Sequence, residues 1–172
     1  MLIRCTAKLL GEMGIKKVAS VSGDSSASLG DWYANMFYTR RRKNVIFMNS
    51  RSLFTFICFN VTRQQIKNLG KLFREGLGRA MLDEDLEAGI IQGVINEAQD
   101  IKYAETQDKR VLGVMVDHVK NVKFIIKNKP DWTPQELVKF LNRTPLLTYD
   151  FRYAISEFNR IIGTKNGKHL ST

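Results

Sequence analysis

Three features predict an α+β fold, an antiparallel three- to five-stranded meander sheet packed by helices from the C-terminal half. Short aromatic and apolar runs separated by polar turns fill residues 32–59, the patterning of consecutive hairpins. Beyond Thr62 the apolar period lengthens to that of a helix. Two capping boxes, Thr62-Arg-Gln-Gln65 and Thr133-Pro-Gln-Glu136, mark helix starts, because the hydroxyl and the third-position side chain each satisfy an orphan N–H.

The elements follow in order. Residues 2–5 read as a short strand. Thr6 caps a helix running to Met13, and Gly14 suits the left-handed position that closes it. Residues 16–28 are Ser- and Gly-rich without period and read as a flexible loop. Strands are expected at 32–39, 44–49 and 53–59, with turns at Arg40–Lys43 and Ser50–Ser52. The last two strands lack clean alternation, which implies burial on both faces and a central place in the sheet. From Thr62 one helix carries the stripe Ile66, Leu69, Phe73, Leu77, Ala80. A second helix begins near Asp83, where Asp83, Glu84, Asp85 and Glu87 would suit the positive end of a helix dipole. Residues 101–106 read as a strand, 109–128 as the longest helix, 133–142 as a short helix with Pro134 at its first position, and 153–162 as the last. A single domain is expected over 1–163, with a flexible tail at 164–172.

Composition excludes several classes. With 44% hydrophobic residues and ten Phe in 172 residues, the chain has material for a core and does not resemble a disordered sequence. No apolar run approaches the roughly 18 residues of a membrane span. The opening MLIRCTAKLL lacks the apolar core and small-residue cleavage site of a secretory signal, so a cytoplasmic location is expected. Cys5 and Cys58 then read as reduced, inert thiols in apolar strands, and the sequons at Asn60 and Asn142 as chemically silent. Two His, at 118 and 169, and no Cys/His pair at zinc spacing lead us to expect no metal and no cofactor. His118 falls on the apolar side of the long helix and reads as a buried helix residue. Gly163-Thr-Lys-Asn-Gly-Lys-His169 fails as a phosphate loop, since it has three residues between the glycines instead of four and His where Ser or Thr is needed. No nucleophile elbow is present, and no catalytic residue is assigned.

Charge is the remaining signal. The net charge is +10, and it is segmental. Residues 31–80 hold ten cations against two carboxylates, whereas 81–108 hold eight carboxylates against one lysine. A cationic field recruits phosphate backbones. The candidate nucleic-acid-binding residues are the hairpin cations Arg40, Arg41, Arg42 and Lys43, and a helix ridge of Arg63, Lys67, Lys71 and Arg74. Whether tip and ridge share one face is not legible from sequence, and a solvated turn is the bland alternative. Asp31, Asn35, Asn49 and Arg51 form a second candidate set, a polar pocket at the sheet.

The segments LIRCTAKLL, LGDWYANMFYTRRRKNVIFMNSRSLFTF, IKNLGKLF and LNRTPLL together resemble a family of small bacterial domains of unknown function. The resemblance spans most of the chain, and only the block at 29–56 is specific. It implies a bacterial, cytosolic, mobile-element setting and carries no activity or site residue across. Three functional readings stand. The first is a non-enzymatic module that binds DNA or RNA. The second is a protein-interaction or regulatory partner of a defence or toxin–antitoxin system. The third is a small nuclease without a motif, built around His118 or a Tyr and Arg pair. Oligomeric state is left open.

Overall fold

The structure is a computed structural model that describes residues 1–18, 28–147, 149–150 and 152–163. Most of the expected loop at 16–28 and the tail at 164–172 lie outside the described residues. Among those described, there are five strands and seven helices along the chain. They are β1 (Leu2–Cys5), α1 (Ala7–Met13), β2 (Trp32–Thr39), β3 (Arg42–Asn49), β4 (Thr55–Cys58), α2 (Arg63–Lys67), α3 (Leu69–Asp83), α4 (Ala88–Glu97), β5 (Lys102–Glu105), α5 (Lys109–Asn128), α6 (Pro134–Asn142) and α7 (Ala154–Ile161).

The sheet order is β4-β3-β2-β1-β5. β2–β3–β4 is the expected antiparallel meander, but β1 pairs in parallel with both β2 and β5, so the sheet is mixed and not antiparallel throughout. The parallel pairs exist because α1, and later α2 to α4, intervene between the strands they join, as a parallel crossover requires. Among the two strands expected to be central, β3 is internal and β4 is the sheet's edge. Its burial comes from flanking helices instead of a neighbouring strand.

Alternation in the sheet sorts side chains into two cores. Ile3, Trp32, Ala34, Val45, Phe47 and Phe56 face one side, where Leu9 and Leu10 of α1 and Leu72, Phe73 and Leu77 of α3 cover them. Tyr33, Phe37, Ile46 and Met48 face the other, against Val111, Met115 and Val122 of α5 and Leu137 and Leu141 of α6. The packing helices therefore come from both halves of the chain, not from the C-terminal half alone. Phe47 stacks on Phe56 at 4.8 Å between centroids, and Trp32 meets Phe73 edge-on at 5.1 Å. Truncating such a ring to alanine typically costs about 3–5 kcal/mol.

Two helix boundaries depart from expectation. The helix after Thr62 breaks at Asn68 into α2 and α3, Asn68 closing one and opening the other. The helix expected from near Asp83 starts later: Asp83 ends α3, and Glu87, the last acid of the run, is the N-cap of α4 at Ala88. Asp83 and Glu84 are held by other means. Glu84 takes two hydrogen bonds from Arg143, at 2.9 and 2.6 Å, and Asp83 accepts from Gln135 at 2.9 Å. The contacts strap α6 to the end of α3. Thr6 also departs: its hydroxyl makes no cap bond but donates to Asn35 Oδ1 at 2.9 Å.

Candidate nucleic-acid interface

The β2–β3 hairpin is fixed by a register in which Thr39 faces Arg42 and Tyr38 faces Lys43. The turn is therefore the two residues Arg40 and Arg41, with φ of +45° and +65°. Positive φ at both positions is the signature of a type I′ turn, whose twist matches paired strands and which favours Asn-Gly. Buried Asn44 holds its base, donating to the Thr39 hydroxyl (2.9 Å) and accepting from Asn60 N (3.0 Å).

The pleat splits the four cations. Lys43 lies in phase with Val45 and Phe47, on the α1 side of the sheet, while Arg42 is in phase with Ile46, on the α5 side. Arg40 also turns to the α5 side, where its guanidinium donates to the Ile126 carbonyl at 3.4 Å. Lys43 reaches the Glu12 carboxylate of α1 at 2.6 Å. Val61 N donates to Lys43 O at 2.9 Å, which draws the start of α2 alongside the hairpin and sets Arg63 beside Lys43. Lys8, one turn before Glu12, covers the Tyr38 ring at 4.8 Å.

Lys8, Gly11, Glu12, Lys43 and Arg63 thus line one cleft of about 380 Å³. Its only carboxylate is Glu12, set against three cations. The hydrogen bond from Lys43, with the charges of Lys43, Arg63 and Lys8, holds the Glu12 carboxyl below its ordinary range. A Cβ built on Gly11 would meet nothing within 4 Å, so the wall there is open.

The rest of the expected ridge does not continue this surface as one helix face, because the break at Asn68 separates Arg63 and Lys67 on α2 from Lys71 and Arg74 on α3. Lys71 pairs with Glu75 at 3.8 Å, and Arg74 donates to the Ala98 carbonyl at 3.2 Å. Lys67 is exposed. Lys8 and Glu12 were missed by sequence reasoning. Their i, i+4 spacing put them on one face of α1, but only the parallel insertion of β1 places that face beside the hairpin.

The polar set divides as well. Asn49 Oδ1 accepts from Arg51 N and Ser52 N, and its amide donates to Leu29 O at 2.8 Å, shaping the β3–β4 turn. Asp31 is fully buried and pairs with Arg4 Nε at 2.6 Å. The Arg51 guanidinium donates to Ser28 O, and its side chain lies where a Cβ on Gly30 would come within 2.7 Å. Asn35 stands apart from these three, bound to Thr6.

His118 is buried, with Nδ1 3.3 Å from the Thr55 hydroxyl, and it does not line the basic cleft. Burial lowers its pKa to about 4. Burial also raises both thiols to about 12, in keeping with the inert cysteines expected. Among the described residues no group of three or more His, Cys, Asp or Glu is placed to hold a metal ion, and no helix is long and apolar enough to cross a membrane.

A family model described as Domain of unknown function (DUF6933) matches residues 2–157. No curated protein matches the chain, and no solved structure does.

Proposed function

Since the chain belongs to the DUF6933 family, whose description names no activity, we propose a function from the site: a small basic module that binds the phosphate backbone of DNA or RNA. One observation carries the reading. Lys8, Lys43 and Arg63, from three separate elements, converge on a cleft with a single opposing carboxylate. Cations brought together by tertiary structure differ from a charge run along one turn, because the fold holds their repulsion at a fixed geometry that a phosphate relieves. Tyr38, 40% exposed beneath Lys8, adds an aromatic surface at the rim. The bacterial, mobile-element setting implied by the sequence resemblance belongs to the same proposal.

The test is fluorescence anisotropy with labelled single- and double-stranded DNA and RNA across a salt series. Wild-type protein is expected to bind with a negative log–log salt slope. Lys43→Gln/Arg63→Gln should flatten that slope by about 1.8 on duplex DNA, about 0.9 for each phosphate no longer neutralised. Glu12→Gln should tighten binding. Lys109→Gln/Arg110→Gln, two exposed cations at the start of α5, removes the same charge and serves as a control for charge alone. No binding at low salt, or a cleft variant that matches the control, refutes the proposal.

A further inference from the structure

A second surface is built around the edge of the sheet. Asn49 N donates to Phe54 O at 2.9 Å, which makes 49/54 a hydrogen-bonded pair. Counting by two along the ladder, Phe47/Phe56 and Val45/Cys58 are hydrogen-bonded, whereas Met48/Thr55 and Ile46/Ile57 are not. The peptide groups of Thr55 and Ile57 therefore point away from β3, off the sheet's edge. Thr55 confirms the phase. Its N–H donates to Asn142 Oδ1 and its carbonyl accepts from Asn142 Nδ2, both at 2.8 Å. The Asn142 carboxamide makes the two bonds that the N–H and C=O of one residue in an antiparallel sixth strand would make.

The edge then continues past Asn142 with nothing paired to it. Ile57 is half-buried, and its outward N–H and C=O meet no partner among the described residues. Here the edge borders a groove of about 650 Å³. Phe56 and Cys58 face the α3 side of the sheet while Ile57 and Phe59 face the α5 and α6 side. A groove touching all four, together with residues of both α3 and α6, must lie beyond the strand's free edge. Its walls are strapped to each other by the Gln135–Asp83 and Arg143–Glu84 contacts. The helix floor is close: a Cβ on Gly76 would come within 2.7 Å of Cys58 Sγ and of the Phe56 ring.

Charge narrows the occupant. Of the groove's charged residues, Glu75 is paired with Lys71 and Asp83 is bonded by Gln135, while exposed Arg79 has no ion pair or hydrogen bond among the described residues. We propose that this groove takes an extended peptide segment of a partner protein as an added strand, bonded through its main chain to Ile57 and carrying an acidic side chain to Arg79. Main-chain bonds supply affinity in this mode, and flanking side-chain contacts supply specificity.

The probe is a random linear dodecapeptide library displayed on phage and panned against full-length protein. The most enriched sequence is synthesised unmodified and in two forms N-methylated at alternate backbone nitrogens, in opposite phase. Expected results are an acidic position shared by the selected sequences and at least tenfold weaker binding to an Arg79→Glu variant of unchanged melting temperature. One N-methyl phase should bind at least tenfold less well than the other, and the Ile57 amide should become protected from hydrogen exchange. Failure of any peptide to enrich, equal binding of both N-methylated forms, or an Ile57 amide unaffected by bound peptide overturns the proposal. So does concentration-dependent self-association that buries the Ile57 amide, which would assign the edge to a second copy of the chain.

Discussion

Replacing Arg40-Arg41 by Asn-Gly separates what the hairpin tip does for folding from what it does for binding. Both residues hold positive φ, +45° and +65°. A left-handed conformation costs a residue with a Cβ roughly 1–2 kcal/mol, and Gly escapes that cost while Asn tolerates the region better than Arg. Against this, Gly adds about 0.5–1 kcal/mol of unfolded-state entropy. The Arg40 bond to Ile126 O is long, at 3.4 Å, and exposed, so its loss weighs little. The net expectation is a stabilisation of about 1–2 kcal/mol. For a chain of this size that raises the melting temperature by roughly 2–6 °C, readable by calorimetry. Binding should move the other way. Arg40 is turned to the α5 side, so only Arg41 is free to reach a phosphate, and the salt slope should fall by about 0.9. A protein made less stable by the exchange would refute the strain argument. A stabilised protein with an unchanged slope would show that the tip lies outside the phosphate footprint.

Two further outcomes follow from buried polar groups. Asn142→Ala strips Thr55 of both its outward partners at a buried position, and removing the partner of a buried group costs about 1–3 kcal/mol. Urea unfolding should show a loss of about 2–5 kcal/mol, and a loss below 1 kcal/mol would mean that water replaces the amide and the edge is open there too. His118 is buried neutral, with its pKa lowered from 6.5 to about 4. The unfolded chain therefore binds the extra proton first, so the contribution is full above pH 6.5 and is lost as pH falls from 6.5 through about 4. The swing is of the order of 3 kcal/mol, and His118→Gln should flatten the stability profile in that window. A His118 resonance, assigned by its absence from the His118→Gln spectrum, that titrates near 6.5 in the folded protein would contradict the burial argument.

What was legible in the sequence is local. Both capping boxes form as spaced, with Thr62 and Thr133 each accepting from the third residue of its helix. Gly14 closes α1 at φ +81°, and 102–105 is a strand. These features depend on side chains within four residues of one another. What failed depends on separations that no window spans. Nothing within Leu2–Cys5 states that it will lie between β2 and β5, about 30 and 100 residues away. The acids at 83–87 resemble a helix start because the partner that satisfies Glu84 is Arg143, 59 residues on. Burial of β4 is written in its apolar run, but whether a strand or a helix does the burying is not, and Asn142 stands in for the missing strand from 87 residues away.

Folding also turns a net charge into a place. Composition says only that cations outnumber carboxylates, and several of those cations are occupied by the fold. Arg4 ties β1 to Asp31 ahead of β2 and donates to Glu105 O at the end of β5, joining the three strands that the parallel pairing brings together. Buried ion pairs of this kind cost desolvation and are best justified by the arrangement they specify. Arg51, Arg74 and Arg143 likewise hold loops and helix ends. Lys8 and Arg63 have no hydrogen bond or ion pair of their own among the described residues, and Lys43 has only the half-buried carboxylate of Glu12. The cleft is thus one place where folding leaves cations with little compensation, as it also does at Arg41, Lys67 and Arg79. A phosphate bound there, as proposed, would displace one partly exposed ion pair, worth about 0–1 kcal/mol, and would break no contact between the strands.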